Sequence, residues 1–239
     1  MACEMDGLTV HVLALFPGMF EPFLRNGIIG RAIDRGLVRV RVINIRDFAA
    51  DRHGTVDDTP YGGGAGMVMR VDVLASCLKS TEPSREGRSV PVVYLSPQGK
   101  RFDQAYANRM SLEREFILVC GRYRGVDERF VERYVTEELS IGDYVLSGGE
   151  IAAMAVIDAV ARLIPGVMHD FESGIEDSFQ DDLLDCPWFT RPEVFEGMPV
   201  PDVLLSGDHA RIEEWRRRQS INSTSRKRPD LLKRARREE

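Results

Sequence analysis

The sequence predicts an α/β fold in which a parallel sheet is flanked by helices, and three observations support this prediction. Four short runs rich in β-branched or apolar residues are typical of strands. Segments with helical spacing separate these runs, which is the pattern of right-handed β-α-β crossovers in a parallel sheet. The 239 residues are 43% hydrophobic and 29% charged, a composition typical of globular proteins rather than of disordered chains.

The predicted elements alternate along the first part of the chain. The strands are residues 8–15 (LTVHVLAL), 38–45, 90–95 and 116–120. The helices between them are residues 17–35, 71–79 and 103–112. A fourth helix, residues 149–164 (GEIAAMAVIDAVARLI), is apolar on nearly every side. Such a helix lies either within its own core or against a second subunit.

The composition changes after this apolar helix, which Pro165 and Gly166 end. Residues 167–176 have no hydrophobic period, and we expect them to form a flexible linker. A proline-punctuated stretch then precedes a basic helix over residues 208–220 and a final helix over residues 231–237. We therefore expect three parts: an α/β domain (residues 1–166), the linker (residues 167–176) and a small, mostly helical domain (residues 177–239).

Charge is distributed unevenly along the chain. The formal net charge is −6. Residues 211–237 contain eleven basic and three acidic residues, a balance of +8, whereas residues 1–210 have a balance of −12. An acidic body with a basic tail is expected where one region meets a polyanion such as RNA, although a solvated helix face explains the tail equally well.

Cysteine usage and hydropathy indicate a cytoplasmic protein that does not enter a membrane. The four cysteines Cys3, Cys77, Cys120 and Cys186 never form a CxxC pair, so a structural zinc site is not expected. Scattered thiols are typical of a reducing compartment, where they are usually small buried hydrophobes. Residues 1–7 are acidic, unlike a signal peptide, and the apolar run 151–164 is too short to span a bilayer.

Glycine-rich segments provide the first indication of a ligand site. No P-loop and no GxGxxG motif is present. Residues 61–67 (YGGGAGM) and 140–150 (SIGDYVLSGGE) taken singly are ordinary turns. Residues 93–101 (VYLSPQGKR) and 119–129 (VCGRYRGVDER), however, each follow a predicted strand. Loops rich in Gly, Ser and Tyr at one edge of a parallel sheet predict a ligand-binding crevice there.

Ten sequence strings occur in an order that resembles a known family. They are LFPGMF (15–20), YGGGAGMVM (61–69), LSPQGK (95–100), CGRYRGVDER (120–129), IGDYVLSGGE (141–150), RLIPGV (162–167), DSF (177–179), CPWFTRPEVF (186–195), LLSGDHARIEEWR (204–216) and RPDLL (228–232). Together they resemble the bacterial tRNA (guanine-N1)-methyltransferase family of the SPOUT superfamily over essentially the whole chain.

This resemblance implies a specific architecture, reaction and site. The α/β domain would end in a deep trefoil knot, an exception to the rule against knots. The protein would be a homodimer that methylates guanosine 37 of tRNA, not DNA, from S-adenosylmethionine. The implied catalytic residues are Asp177 and Arg162. The implied donor-binding residues are Tyr94, Leu95, Ser96, Pro97, Gly121, Tyr123, Ile141, Gly142, Asp143, Tyr144, Val145 and Leu146.

The chemistry of these residue types suits the implied roles, but alternatives exist. Guanine N1 bears a proton at neutral pH, so a base such as Asp177 must remove it. Asp177 is equally suited to cap a helix over residues 178–184. An arginine such as Arg162 stabilises negative charge that develops on O6, yet it is also spaced to pair with Asp158. On the basic helix, His209 and Trp215 with residues 216–218 are suited to contact RNA, and the alternative for Trp215 is docking of this helix onto the body of the protein.

The sequence departs from the family pattern at several positions. Arg124 replaces a usual glutamate, so an acidic role there, including one in holding Mg²⁺, cannot be transferred to this chain. Ala65 replaces a common proline, and Trp188-Phe189 replaces a frequent His-Tyr. Two other functions stay open: a knotted methyltransferase acting on rRNA or another tRNA nucleotide, and a non-catalytic RNA-binding protein. A base beside a ligand pocket argues against the second.

Overall fold

The computed structural model describes residues 7–82, 90–168, 178–179 and 182–235, and in residues 233–235 the backbone only. The chain divides into two compact units, Met1–His169 and Asp170–Glu239. Each unit has its own secondary structure. In the described part of the chain, no helix is long and apolar enough to cross a membrane.

The first unit is built on a parallel sheet of five strands, which confirms the predicted α/β class. The strand order is β2-β1-β6-β5-β7, and every neighbouring pair is parallel. The strands are β1 (Leu8–Ala14), β2 (Val38–Asn44), β5 (Val92–Arg101), β6 (Glu115–Cys120) and β7 (Glu137–Ser140). A separate antiparallel pair comprises β3 (Asp57–Asp58) and β4 (Val68–Met69). Four of the five sheet strands were predicted, and the short edge strand β7 was not.

Six helices of the described residues flank this sheet. They are α1 (Glu21–Arg25), α2 (Gly27–Asp34), α3 (Val71–Lys79), α4 (Gln104–Ser111), α5 (Glu128–Tyr134) and α6 (Glu150–Ala161). Helix α3 has the predicted bounds, and α4 begins where the Asp103 carboxylate accepts the Tyr106 N–H at 2.9 Å. The single helix predicted over residues 17–35 is wrong, because Asn26 is extended and Gly27 has φ 65°. Helix α5 was not predicted.

Two hydrophobic cores cover the opposite faces of the sheet. Val12 and Leu118 point to one core, which α4 and α6 complete. Leu13 and Ile117 point to the other, which α3 and α5 complete. Burial on both faces is the usual condition of a parallel sheet. The apolar helix α6 is therefore largely enclosed in its own core, although Ile151 remains 47% exposed.

The central strand should dominate the stability of this unit. Leu118 in β6 is fully buried, so we expect Leu118→Ala to lower the free energy of unfolding by about 2–5 kcal/mol. Leu112 is 84% exposed, and Leu112→Ala should cost less than about 0.5 kcal/mol. Urea denaturation of both variants measures the difference. Equal losses would show that β6 does not lie at the centre of the core.

The second unit contains a hairpin and three helices in its described residues. The hairpin pairs β8 (Val194–Phe195) with β9 (Met198–Pro199). The helices are α7 (Asp202–Leu205), α8 (His209–Lys227) and α9 (Pro229–Ala235). The basic helix predicted over residues 208–220 is thus present but extends seven residues further, because buried Thr224 fixes its last turns. The Thr224 hydroxyl donates to the Ser220 carbonyl and accepts the Leu184 N–H, both within 2.8 Å.

Candidate active site

A cavity lies where three neighbouring strands of the sheet end. It has a volume of about 320 Å³, and the loops that follow the ends of β6 and β7 form most of its wall. The remaining wall comes from β5, whose pairing with β7 shifts between Leu95 and Lys100, so that the intervening residues leave the regular ladder. We call it the strand-end cavity. The loops rich in Gly, Ser and Tyr predicted a crevice at this edge of the sheet. The carboxyl edge of a parallel sheet is the usual place for a ligand.

The structure brings eleven of the twelve predicted donor-binding residues to this cavity. They are Tyr94, Leu95, Ser96, Pro97, Gly121, Tyr123, Ile141, Gly142, Tyr144, Val145 and Leu146. Asp143 is exposed and is not a lining residue. Sequence reasoning missed the remaining lining residues, which are Gln98, Arg122, Arg124, Gly125, Leu139, Ser140, Ser147, Gly148, Gly149 and Ala152. Half of these directly adjoin a predicted residue in the sequence.

Gly121 permits the close packing of the cavity wall. A Cβ atom at this position would lie 2.8 Å from both Cε2 and Oη of Tyr94. Tyr94 is itself buried, and this burial raises the pKa of its phenol. Tyr94 therefore remains a neutral hydrogen-bonding group at physiological pH. The next loop residues form a turn in which Tyr123 adopts φ 60°, a strained value that occurs preferentially at functional sites.

A buried ion pair joins the loops after β6 and β7. The Glu150 carboxylate is fully buried, and Arg122 Nε donates to its two oxygens at 3.0 and 3.2 Å. The Arg122 guanidinium also stacks on the Phe16 ring, 4.5 Å from its centroid. Glycine is required at position 148, because a Cβ there would meet Arg122 Nε and the Glu150 carboxylate. Since removing one partner would leave a buried charge, the pair holds both loops in place.

The glycine loop, residues 61–67, contacts the cavity wall through Arg124. The Arg124 N–H donates to the Met67 carbonyl at 3.0 Å, and Nη1 donates to the Ala65 carbonyl at 2.7 Å. Arg124 itself lines the cavity and is exposed. The loop thus borders the strand-end cavity without lining it.

Of the two predicted catalytic residues, Arg162 lies within the described part of the chain and Asp177 does not. Arg162 follows the last turn of α6, is half-buried, and does not line the strand-end cavity. Its N–H donates to the Asp158 carbonyl at 3.2 Å. Asp177 lies outside the described residues. Among the described residues of the helix that Asp177 would cap, Phe179 and Asp182 have non-helical φ values of 76° and 56°.

The cysteines of the described residues are buried free thiols rather than reactive groups. Cys77, Cys120 and Cys186 are all buried and unpaired by disulfides. Burial raises the pKa of Cys77 to about 12, and it raises that of Cys120 as well. Cys3 lies outside the described residues. The thiols therefore serve as small hydrophobes, as expected.

The second unit has an aromatic cavity of its own, with a volume of about 450 Å³. Half-buried Trp215 of α8 packs against Phe189 there, with 6.2 Å between ring centroids. The Arg216 guanidinium lies 4.5 Å from the centroid of the exposed Trp188 ring. Trp215 therefore packs helix α8 against the segment that contains Phe189 within this unit, and its predicted alternatives, RNA contact or docking onto the body, stay predictions. His209 is exposed in the first turn of α8.

The fold and the strand-end cavity define an α/β protein with a cavity of small-molecule size in the loops after its parallel strands. Comparison with known proteins makes this more specific. The chain belongs to the tRNA (guanine-1)-methyltransferase TrmD family, whose sequence model matches residues 8–234. It is similar to the tRNA (guanine-N(1)-)-methyltransferases of Salmonella newport, Salmonella agona and Salmonella typhimurium. Each is 53% identical over 223 residues, which cover 93% of this chain and 87% of the relative.

Proposed function

We propose that the protein transfers the methyl group of S-adenosylmethionine to N1 of guanosine 37 in tRNA, next to the anticodon. Membership of the TrmD family supports the reaction and implies S-adenosylmethionine as the methyl donor. The relatives named above support guanine N1 as the acceptor. The observation that supports the site most strongly is that eleven residues scattered between positions 94 and 146 line one cavity.

The residues of the strand-end cavity suit the donor. Its volume of about 320 Å³ is within the range of small-molecule sites, about 300–1,000 Å³. Because Gly121 has no side chain, Tyr94 can occupy its position in the cavity wall, and a ligand can approach the Gly121 backbone closely. Bound there, S-adenosylmethionine supplies a methyl group on positively charged sulfur, a strong electrophile. The donor-binding loops orient this group and exclude water, while the proton chemistry belongs to other residues.

Asp177 and Arg162 are the residues we assign to the acceptor guanine. The Asp177 carboxylate accepts the N1 proton, which leaves an electron pair on N1 for the methyl group. The Arg162 guanidinium stabilises the negative charge that develops on O6 during this step. The non-helical φ values of Phe179 and Asp182 favour this role for Asp177 over that of a helix cap. Magnesium has no evident ligand set here, because arginines are the only charged residues among those lining the strand-end cavity.

Resemblance to the family supports a proposal for the organisation of the whole protein. We propose that residues 1–166 form the donor-binding domain, closed by a deep trefoil knot, and that residues 167–176 link it to a tRNA-binding domain, residues 177–239. The balance of +8 over residues 211–237 supports RNA binding by the last domain. We further propose a homodimer in the cytoplasm. Exposed apolar side chains at Phe16, Met19 and Ile151 are consistent with a protein interface.

A methyl-transfer assay tests this function. The purified chain is incubated with S-adenosylmethionine labelled in its methyl group and with unmodified tRNA transcripts. Transfer should be rapid to a transcript with guanosine at position 37 and absent when that nucleotide is adenosine. Equal labelling of both transcripts would exclude the assigned target, and labelling of neither would exclude the activity.

A further inference from the structure

The strand-end cavity contains one positive charge that no carboxylate of the described residues neutralises. Its charged lining residues are Arg122 and Arg124. Arg122 forms the buried pair with Glu150, so its charge is compensated. Arg124 has its side-chain hydrogen bond with a neutral acceptor, the Ala65 carbonyl. An uncompensated cation at this place contrasts with the balance of −12 over residues 1–210.

The glycine loop fixes the Arg124 side chain in position. Its guanidinium donates to the Ala65 carbonyl through Nη1. Its Cγ and Cδ atoms pack against Gly66 so closely that a Cβ atom on this glycine would lie 3.0 Å from each of them. Gly66 has φ 91°, so both its backbone and its lack of a side chain favour this contact. No hydrogen bond joins Nε or Nη2 of this exposed side chain to another described residue, so both are available as donors. Arg124 is thus a pre-positioned cation at the rim of the cavity.

An oxyanion is the ligand that such a group recognises, and two reactants contain one. The donor has a carboxylate, and RNA has a phosphate on each side of the target nucleotide. The exposure of Arg124, together with its attachment to a loop that borders the cavity from outside, favours the ligand that arrives from solvent. The planar arginine fork also matches phosphate geometry.

We propose that Arg124 binds a backbone phosphate adjacent to the target guanosine and so positions the tRNA over the strand-end cavity. This proposal rests on the proposed function and makes Arg124 a positioning residue rather than a group that reacts. Because the family pattern has glutamate at this position, the contact would be a property of this chain. The alternative to this proposal is a purely structural role, in which Arg124 only holds the glycine loop in position.

The variant Arg124→Gln removes the charge and, because its side chain ends two bonds short of the arginine Nη1 position, also the bond to the Ala65 carbonyl. Only loss of a phosphate contact changes the salt dependence of binding, so the salt slope separates the two roles. We expect the Kd of this variant for tRNA to rise by roughly tenfold. The slope of log K against log salt should become shallower by about 0.7–0.9, the value for one lost phosphate contact. Affinity for S-adenosylmethionine, measured by calorimetry without RNA, should be unchanged. The matched control is Arg133→Gln on the exposed face of α5, which does not line the cavity and should retain the wild-type slope.

A modified RNA identifies the phosphate. Anticodon stem-loops are prepared with a neutral methylphosphonate at each phosphate flanking the target guanosine, one at a time. At one of these phosphates, the methylphosphonate should weaken binding to the wild-type protein but not to Arg124→Gln. The reason is that the neutral phosphate and the neutral side chain each remove the same contact. An unchanged salt slope in Arg124→Gln would overturn the proposal in favour of the loop-holding role. Weaker donor binding with an unchanged slope would also overturn it and assign Arg124 to the donor carboxylate. Neither result affects the proposed function, because that function is tested separately by methyl transfer with the wild-type chain.

Discussion

Asp177→Asn should lower the rate of methyl transfer by about 10²–10⁴-fold, equivalent to roughly 3–5 kcal/mol in the activation barrier. Asparagine retains the size and most of the hydrogen bonding of aspartate, but its amide cannot accept the N1 proton. Donor affinity should be unchanged, because the strand-end cavity is built from other loops. Single-turnover methylation of saturating tRNA is the appropriate measurement, since it separates chemistry from product release.

The control for Asp177→Asn is the same substitution at Asp182, an exposed carboxylate of the same segment. Asp182 has φ 56°, a conformation that asparagine also adopts readily, so Asp182→Asn should retain full activity. If Asp177 only capped a helix, asparagine would replace it equally well. An Asp177→Asn rate within a few-fold of wild type would therefore end the general-base assignment.

Gly121→Val should raise the Kd for S-adenosylmethionine by about 100-fold or more. Even a single Cβ at this position would lie 2.8 Å from the Tyr94 ring, and valine adds two methyl groups beyond it. Overpacking of this kind commonly costs about 1–3 kcal/mol, and relief would require Tyr94 or the loop to move into the cavity. Isothermal titration calorimetry measures the donor affinity directly. Gly121→Ala should give an intermediate loss.

Two controls keep the interpretation of Gly121→Val specific. Ala105→Val adds a branched side chain at an exposed position of α4 and should leave donor affinity unchanged. Urea denaturation of Gly121→Val should show a cooperative transition, so that lost binding is not lost folding. A folded Gly121→Val variant with wild-type donor affinity would remove Gly121 from the site.

The sequence predicts the fold wherever hydrophobic patterning is strong. Strands β1 and β6 are runs of buried aliphatic residues, and α3 has clear helical spacing, so their bounds were close to those observed. Strand β7 was missed because its sequence, EELS, begins with two glutamates and is only four residues long. The continuous helix over residues 17–35 was wrong for the opposite reason. Its apolar spacing persists across Asn26 and Gly27, where the backbone turns.

The site was predictable only in part, because spacing along the chain does not reveal contacts between distant residues. The strand-end loops were expected to meet, and family resemblance identified most of the residues that line the strand-end cavity. Nothing in the sequence pairs Arg122 with Glu150, since a buried carboxylate is visible only once its surroundings are known. Arg124 was noticed as an exchange of charge, but its bond to the Ala65 carbonyl depends on a loop 59 positions away in the sequence.

The central claim is that the chain methylates N1 of guanine in tRNA, and nucleoside analysis of the product tests it most directly. Unmodified tRNA is incubated with the protein and S-adenosylmethionine, digested to nucleosides, and separated by chromatography coupled to mass spectrometry against authentic standards. We expect 1-methylguanosine to accumulate to about one per tRNA, and fragments cut by a base-specific ribonuclease should place it at position 37. Methylation found on guanine N2 or N7, on the ribose or on another base would contradict the account, as would an unmodified product.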